Sequence, residues 1–229
     1  MIRREVICIF ISSLTISLLL ALPISAQHQK LMIEPETNDS TPWLNGFAVS
    51  ADLFGLLQYM VSDYGQFEGA LRINLRDKYF PIVELGLGRA KHDDVVTNIS
   101  YSSSSPYGRI GIDLNLMKDK HDDYRLYGGL RYALSYFKFD LSHPGMTDPI
   151  WGDEVPYGAK GVKCNYHWAE AVAGVDAKIW GPIHLGWSVR YRKRLSYSCG
   201  DIGNVWYVPG YGKSGSTRLG GTFNVSIDI

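Results

Sequence analysis

Gln66-Phe67-Glu68-Gly69-Ala70-Leu71-Arg72-Ile73-Asn74-Leu75 decides the fold. Phe67, Leu71, Ile73 and Leu75 fall on one face, and Gln66, Glu68, Arg72 and Asn74 on the other. Successive side chains of a strand point to opposite faces, so this period of two reads as a strand with one apolar side. The C-terminal stretch repeats it, with Leu219, Phe223, Val225, Ile227 and Ile229 set against Thr222, Asn224, Ser226 and Asp228.

Working outward, about eight such segments appear, near 45–57, 65–76, 80–91, 106–117, 124–139, 165–180, 183–197 and 217–229. Each reaches the roughly 9–11 residues with which a tilted strand crosses a bilayer. The links between them differ in length. Those at 77–79, 118–123 and 181–182 are short, whereas 92–105, 140–164 and 198–216 are long. Outer-membrane barrels alternate short periplasmic turns with long external loops in this way. The expected fold is all-β: a single eight-stranded antiparallel up-and-down transmembrane β-barrel over 44–229, with both ends periplasmic.

Alternation alone does not say which face is outside. A soluble lipocalin-like carrier also alternates, with its apolar face inward. Three features point to lipid outside: the loop lengths, the glycines on the polar face (Gly86, Gly88, Gly111, Gly129, Gly186 and Gly220), and aromatic residues near strand ends. Tyr64, Phe67, Tyr79, Phe80, Tyr136, Tyr166, Trp168, Trp180, Tyr191 and Tyr197 are the expected interfacial rings.

The N-terminus agrees with export. Arg3 and Arg4 precede an uncharged, largely apolar run from Val6 to Ile24, and Ile24-Ser25-Ala26 offers a cleavage site, so 1–26 reads as a signal peptide. Residues 27–43 read as a flexible periplasmic lead-in. Formal charge is 0, and loss of Arg3, Arg4 and Glu5 leaves −1, which gives no electrostatic footprint for nucleic acid. Cys164 and Cys199 remain after processing; in an oxidising compartment the expectation is one disulfide at the external rim. Their positions on strands six and seven require an odd pairing sum, while the apolar residues of both strands require an even one. A bulge or a one-residue longer turn must therefore intervene.

The expected interior charge network is Glu68, Arg72, Glu84, Arg109, Asp113, Arg131, Glu170, Asp176, Arg190, Arg192 and Arg218, with Asp52 and Lys178 beside it. Buried charges must pair, and small barrels are filled by side chains. The network is therefore read as filling the lumen; a gated ion path would need a break in it. No catalytic, cofactor or metal site is expected. His167 is the one residue placed for a lipid A-modifying hydrolase or acyltransferase, the alternative enzymatic reading, and no serine joins it on its face.

Asp52-Leu53-Phe54-Gly55, Tyr79 to Gly86, Tyr127 to Tyr132, Thr147 to Gly152, Gly186 to Tyr191 and Trp206 to Gly212 together resemble an uncharacterised family of small outer-membrane barrel proteins from Bacteroidota. The resemblance implies a Gram-negative envelope setting and brings no activity or catalytic residues. The terminal Ile229 departs from the aromatic commoner at that position. Trp151, Trp206, Tyr207 and Tyr211 fall in the two longest links. They are expected to pack over the barrel mouth as a lid or contact surface. The expected role is structural or surface-binding, with outer-membrane lipid as partner and an unknown external ligand or envelope protein at the loops.

Overall fold

The computed structural model describes residues 42–147, 150, 152, 154–200 and 205–229. The expected signal peptide, all of the lead-in but its last two residues, and Trp151 lie outside them. Ten strands and one helix form among the described residues, where the sequence pattern predicts eight strands alone. They are β1 (Gly46–Asp52), α1 (Leu53–Val61), β2 (Tyr64–Asn74), β3 (Tyr79–Asp93), β4 (Ser100–Asn115), β5 (Tyr124–Thr147), β6 (Glu154–Trp180), β7 (Ile183–Ser198), β8 (Tyr207–Val208), β9 (Gly212–Lys213) and β10 (Thr217–Asp228).

Eight strands close a ring in the order β1-β10-β7-β6-β5-β4-β3-β2, and the short β8 and β9 form a separate hairpin. Neighbours in the ring run antiparallel. Short turns and both strand termini gather at one end (the turn end), and α1 and residues 199–200 and 205–216 at the other (the loop end). The extra hairpin follows from Val208-Pro209-Gly210-Tyr211. Proline presets φ at the second turn position, Gly210 takes φ +79° at the third, and Tyr211 N–H donates to Val208 O at 3.1 Å, the pattern of a type II turn.

Two boundaries differ from expectation. The first strand ends at Asp52 and not near 57, because the Asp52 carboxylate accepts from Phe54 N at 3.0 Å and Gly55 N at 3.3 Å and so caps a helix over the uninterrupted apolar run Leu53-Phe54-Gly55-Leu56-Leu57. Much of 92–105 and 140–164, expected as loop, continues as paired strand in β3–β4 and β5–β6.

The apolar face is outside. Leu85 is 67% exposed and Leu130 68%, while Glu84 and Arg131 beside them are 1% and 4% exposed. This is the reverse of a soluble lipocalin-like carrier, whose apolar face lines the interior. Tyr79, Tyr124 and Trp180 are exposed at the turn end, and Tyr132, Tyr136, Tyr191 and Tyr197 farther toward the loop end. Phe80, Tyr166 and Trp168, expected among the interfacial rings, instead face inward and are buried.

Cys164 and Cys199 are joined in a disulfide, with Cα atoms 4.1 Å apart. The required irregularity is present as a bulge. Trp168 pairs with Arg194 and Ala169 with Lys193, but His167 pairs with Ser196, so Leu195 is the extra residue. Closing a loop with a sequence separation of 35 restricts the unfolded chain. Replacing both cysteines by serine is expected to lower unfolding stability in detergent by about 2–4 kcal/mol while leaving the folded barrel's fast gel migration intact; an unchanged urea midpoint would contradict this.

Candidate functional site

Alternation drives one set of side chains from every strand into a lumen too narrow to remain open. Near the loop end, Glu68 on β2, Arg109 on β4, Glu170 on β6 and Arg192 on β7 converge. Arg109 pairs with Glu68 through Nη1, with Glu84 at 3.2 Å, and through Nε with Glu170 at 2.9 Å. Arg192 Nε lies 3.3 Å from Glu170. Tyr107 Oη donates to Glu68 at 2.6 Å and Trp168 Nε1 to Glu170 at 2.6 Å.

Below them, Glu84 faces Arg190 at 2.9 Å and Arg131 at 3.3 Å, and Arg190 also reaches Glu68 at 3.1 Å. Arg131 passes on to Asp113 at 3.0 Å. Toward the turn end Arg72 bridges Asp113 at 3.7 Å and Asp176 at 3.3 Å, and Arg125 pairs with Asp176. Counting Asp52, among the described residues six carboxylates stand with six guanidiniums, so their formal charges cancel.

Arg218 does not join them. It sits at the rim, where its Nε donates to Lys213 O at 2.8 Å. Lys178 is also outside, 3.6 Å from Asp123 in the turn. Arg125, Tyr107 and Trp168 are members that the sequence reading missed. Arg125 has the same odd parity as Arg131 on β5, which is the signal that could have found it.

The 205–213 segment closes the loop end. Val205, Tyr207, Val208 and Tyr211 are buried together with Tyr101, Phe137, Phe139, Tyr166, Trp168 and the disulfide. Tyr207 and Tyr211 are therefore inside the barrel and not on a contact surface over its mouth. Trp206 is only partly buried and stacks on His92, with ring centres 4.2 Å apart. The hairpin is bound to the ion pairs through its backbone: Arg109 Nη2 donates to Gly210 O at 2.7 Å and Arg192 Nη1 to Tyr211 O at 2.9 Å. Gly210 is required there. Beyond its positive φ, a Cβ would fall 2.5 Å from the Tyr107 ring. Tyr101 Oη donates to Tyr207 O at 2.6 Å, and burial pushes the Tyr207 phenol above its ordinary range, keeping it a neutral donor to Gly65 O.

Little space remains among the ion pairs and at the turn end. Cavities of about 20 Å³ beside Arg190 and about 40 Å³ at the turn-end mouth hold from one to about three waters. His167 lies on the outer face, its Nδ1 2.8 Å from Tyr132 Oη and its ring edge-on to Tyr136.

The model of a family described as a domain of unknown function (DUF6048) matches residues 6–229. The chain belongs to that family. No curated protein matches it in sequence. Among solved structures it is similar to a major outer membrane protein of Thermus thermophilus, with 12% identity and a TM-score of 0.43 over 80% of this chain and 99% of that one. It is similar to Neisserial surface protein A, with 13% identity and a TM-score of 0.40 over 81% and 99% of the two chains. Acinetobacter baumannii CarO aligns at 14% identity and a TM-score of 0.37 over 84% and 100%. These identities are too low to carry a role across.

The geometry gives the interior charges unequal weight. Glu84 meets three buried guanidiniums, so Glu84→Ala leaves uncompensated charge and is expected to cost about 3–5 kcal/mol of unfolding free energy. Arg218→Ala, at the rim, should stay within about 0.5 kcal/mol. Urea titration of both variants in the same detergent checks the contrast, and equal losses would contradict it.

Proposed function

We propose that the chain is a small outer-membrane β-barrel of a Gram-negative envelope, closed to ions, with a structural or surface-binding role and no catalytic step. The observation that carries this reading is the single register that turns apolar residues outward all round the ring while its ion pairs cross the lumen. Only a closed barrel lets strands satisfy every backbone group within hydrocarbon. The apolar exterior, the tyrosine and tryptophan side chains near both ends, and the secretory pattern in 1–26 support placement in the outer membrane. Outer-membrane lipid is then the constant partner. An external ligand or envelope protein would meet the loop end, where β5 and β6 extend farthest.

Cell fractionation joined to a heat-shift gel and planar-bilayer recording tests this. The reading expects the chain in the outer-membrane fraction, faster migration unboiled than boiled, and no stepwise conductance. Recovery in the soluble periplasmic fraction, or steady single-channel steps from the intact protein, would sink it.

A further inference from the structure

The ring is complete at the turn end but not at the loop end. β1 stops at Asp52, while its two neighbours run on. Residues 64–68 of β2 pair only with β3, and 217–223 of β10 only with β7. Two strand edges therefore face each other across the place where β1 would have continued. An open edge in hydrocarbon leaves backbone N–H and C=O groups without partners. Here α1 lies against both β2 and β10.

Asp52 holds this seam. Besides capping α1, its Oδ1 accepts from Phe223 N on the β10 edge at 3.3 Å, where the next residue of β1 would otherwise pair. Gly55 allows the helix to lie on β2, since a Cβ there would stand 2.6 Å from Gln66 O. The rest of α1 carries no charge. Phe54, Leu56, Leu57, Tyr59, Met60 and Val61 are all exposed, with Met60 75% exposed. Nine residues with a single strongly polar side chain, Gln58, are an apolar cover and not a solvated one.

Behind the cover is a cavity of about 290 Å³ between α1, the two edges and the 205–213 hairpin. Its cations are Arg192, Lys213 and Arg218, and no carboxylate lines it. Arg192 is engaged with Glu170 deeper in the barrel. Among the described residues no carboxylate pairs with Lys213 or Arg218. Lys213 Nζ lies over the rings of Tyr64 at 5.7 Å and Trp206 at 5.3 Å, and Arg218 donates to a carbonyl. The cavity has the size of a headgroup and not of a whole lipid, being at the lower end of small-molecule pockets.

We propose that this seam is a lateral lipid port: the cavity takes the phosphate-bearing headgroup of an anionic lipid from the surrounding leaflet. Its acyl chains stay outside along the apolar face of α1. This rests on the outer-membrane reading above. Lys213 and Arg218 supply charge-assisted hydrogen bonds to phosphate, Arg192 adds positive field from behind, and a zwitterionic headgroup gains less because its ammonium faces the same cations.

The test uses the full chain folded in a neutral detergent, mixed with equal amounts of phosphatidylglycerol and phosphatidylcholine of one chain length. Native mass spectrometry reads the retained lipid. One phosphatidylglycerol per barrel is expected, with retention lowered roughly tenfold or more in Lys213→Gln/Arg218→Gln, which loses two charge-assisted bonds. Gln58→Trp, which fills the cavity, should also lose the lipid while keeping the fast unboiled band. Equal retention of the two lipids overturns the port. So does phosphatidylglycerol binding that survives both variants, or that inorganic phosphate displaces as readily as added lipid does. A barrel that fractionates with the outer membrane yet shows no preference refutes the port alone, whereas a soluble chain refutes the reading beneath it.

Discussion

Arg109 is the point on which the interior depends. One guanidinium meets carboxylates from three strands, Glu68, Glu84 and Glu170, and a carbonyl of the hairpin at Gly210. It could not be buried without them, because an isolated charge would cost several kcal/mol to strip of water, while each of the three carboxylates also meets a second guanidinium. The planar fork of arginine suits this place; the compact ammonium of lysine would not span it. From Arg109 the pairing runs through Glu84 to Arg131 and Asp113, and so to the turn end. Ring closure, strand register and the seat of the hairpin are thus coupled in one set of contacts. Buried ion pairs seldom add much net stability, but they penalise alternatives. A one-residue slip of any strand would turn its charges toward the apolar exterior.

The loop end is built on a different principle. Above the ion pairs the interior becomes aromatic, with Tyr107, Tyr166, Trp168, Tyr207 and Tyr211 packed beside the disulfide. Long extensions of β4 to β6 wall this region, and the hairpin fills it. Among the described residues, the seam at β1 is the one place where the wall is made by a helix. Asp52 joins the two principles: its carboxylate ends a strand, begins a helix and replaces a missing ladder contact on β10.

The ring of strands was legible because its exterior is apolar and its interior charged, which makes period two visible in strands such as β3, where Val83, Leu85 and Leu87 alternate with Glu84, Gly86 and Gly88. That an irregularity must intervene between β6 and β7 followed from parity alone, since two cysteines had to meet across strands whose apolar residues demanded the other sum; its place at Leu195 did not. Other features depended on partners distant in sequence. Leu53 to Leu57 is as compatible with a buried strand as with a helix, and only the cap at Asp52 decides between them. Trp206 to Gly212 reads as an exposed aromatic loop until Arg109 and Arg192 are seen to bind its carbonyls. Tyr166 and Trp168 lie near a strand end, but β6 continues beyond them, so nearness to an expected end did not place them at an interface. Arg218 has the right parity for the interior and lies too far toward the rim to enter it.

The central claim is that one face of each strand meets lipid and the other faces an ion-paired lumen with room for only a few waters. Spin labels placed singly at 83, 85 and 87 on the outer face of β3, and at the exposed Val95 and Val96 between β3 and β4, in barrels reconstituted in bilayers, measure the lipid contact directly through collision with oxygen and with a water-soluble nickel complex. The account predicts high oxygen and low nickel accessibility at 83, 85 and 87, and high nickel accessibility at 95 and 96. Nickel accessibility at 83, 85 and 87 as high as at 95 and 96 would contradict it.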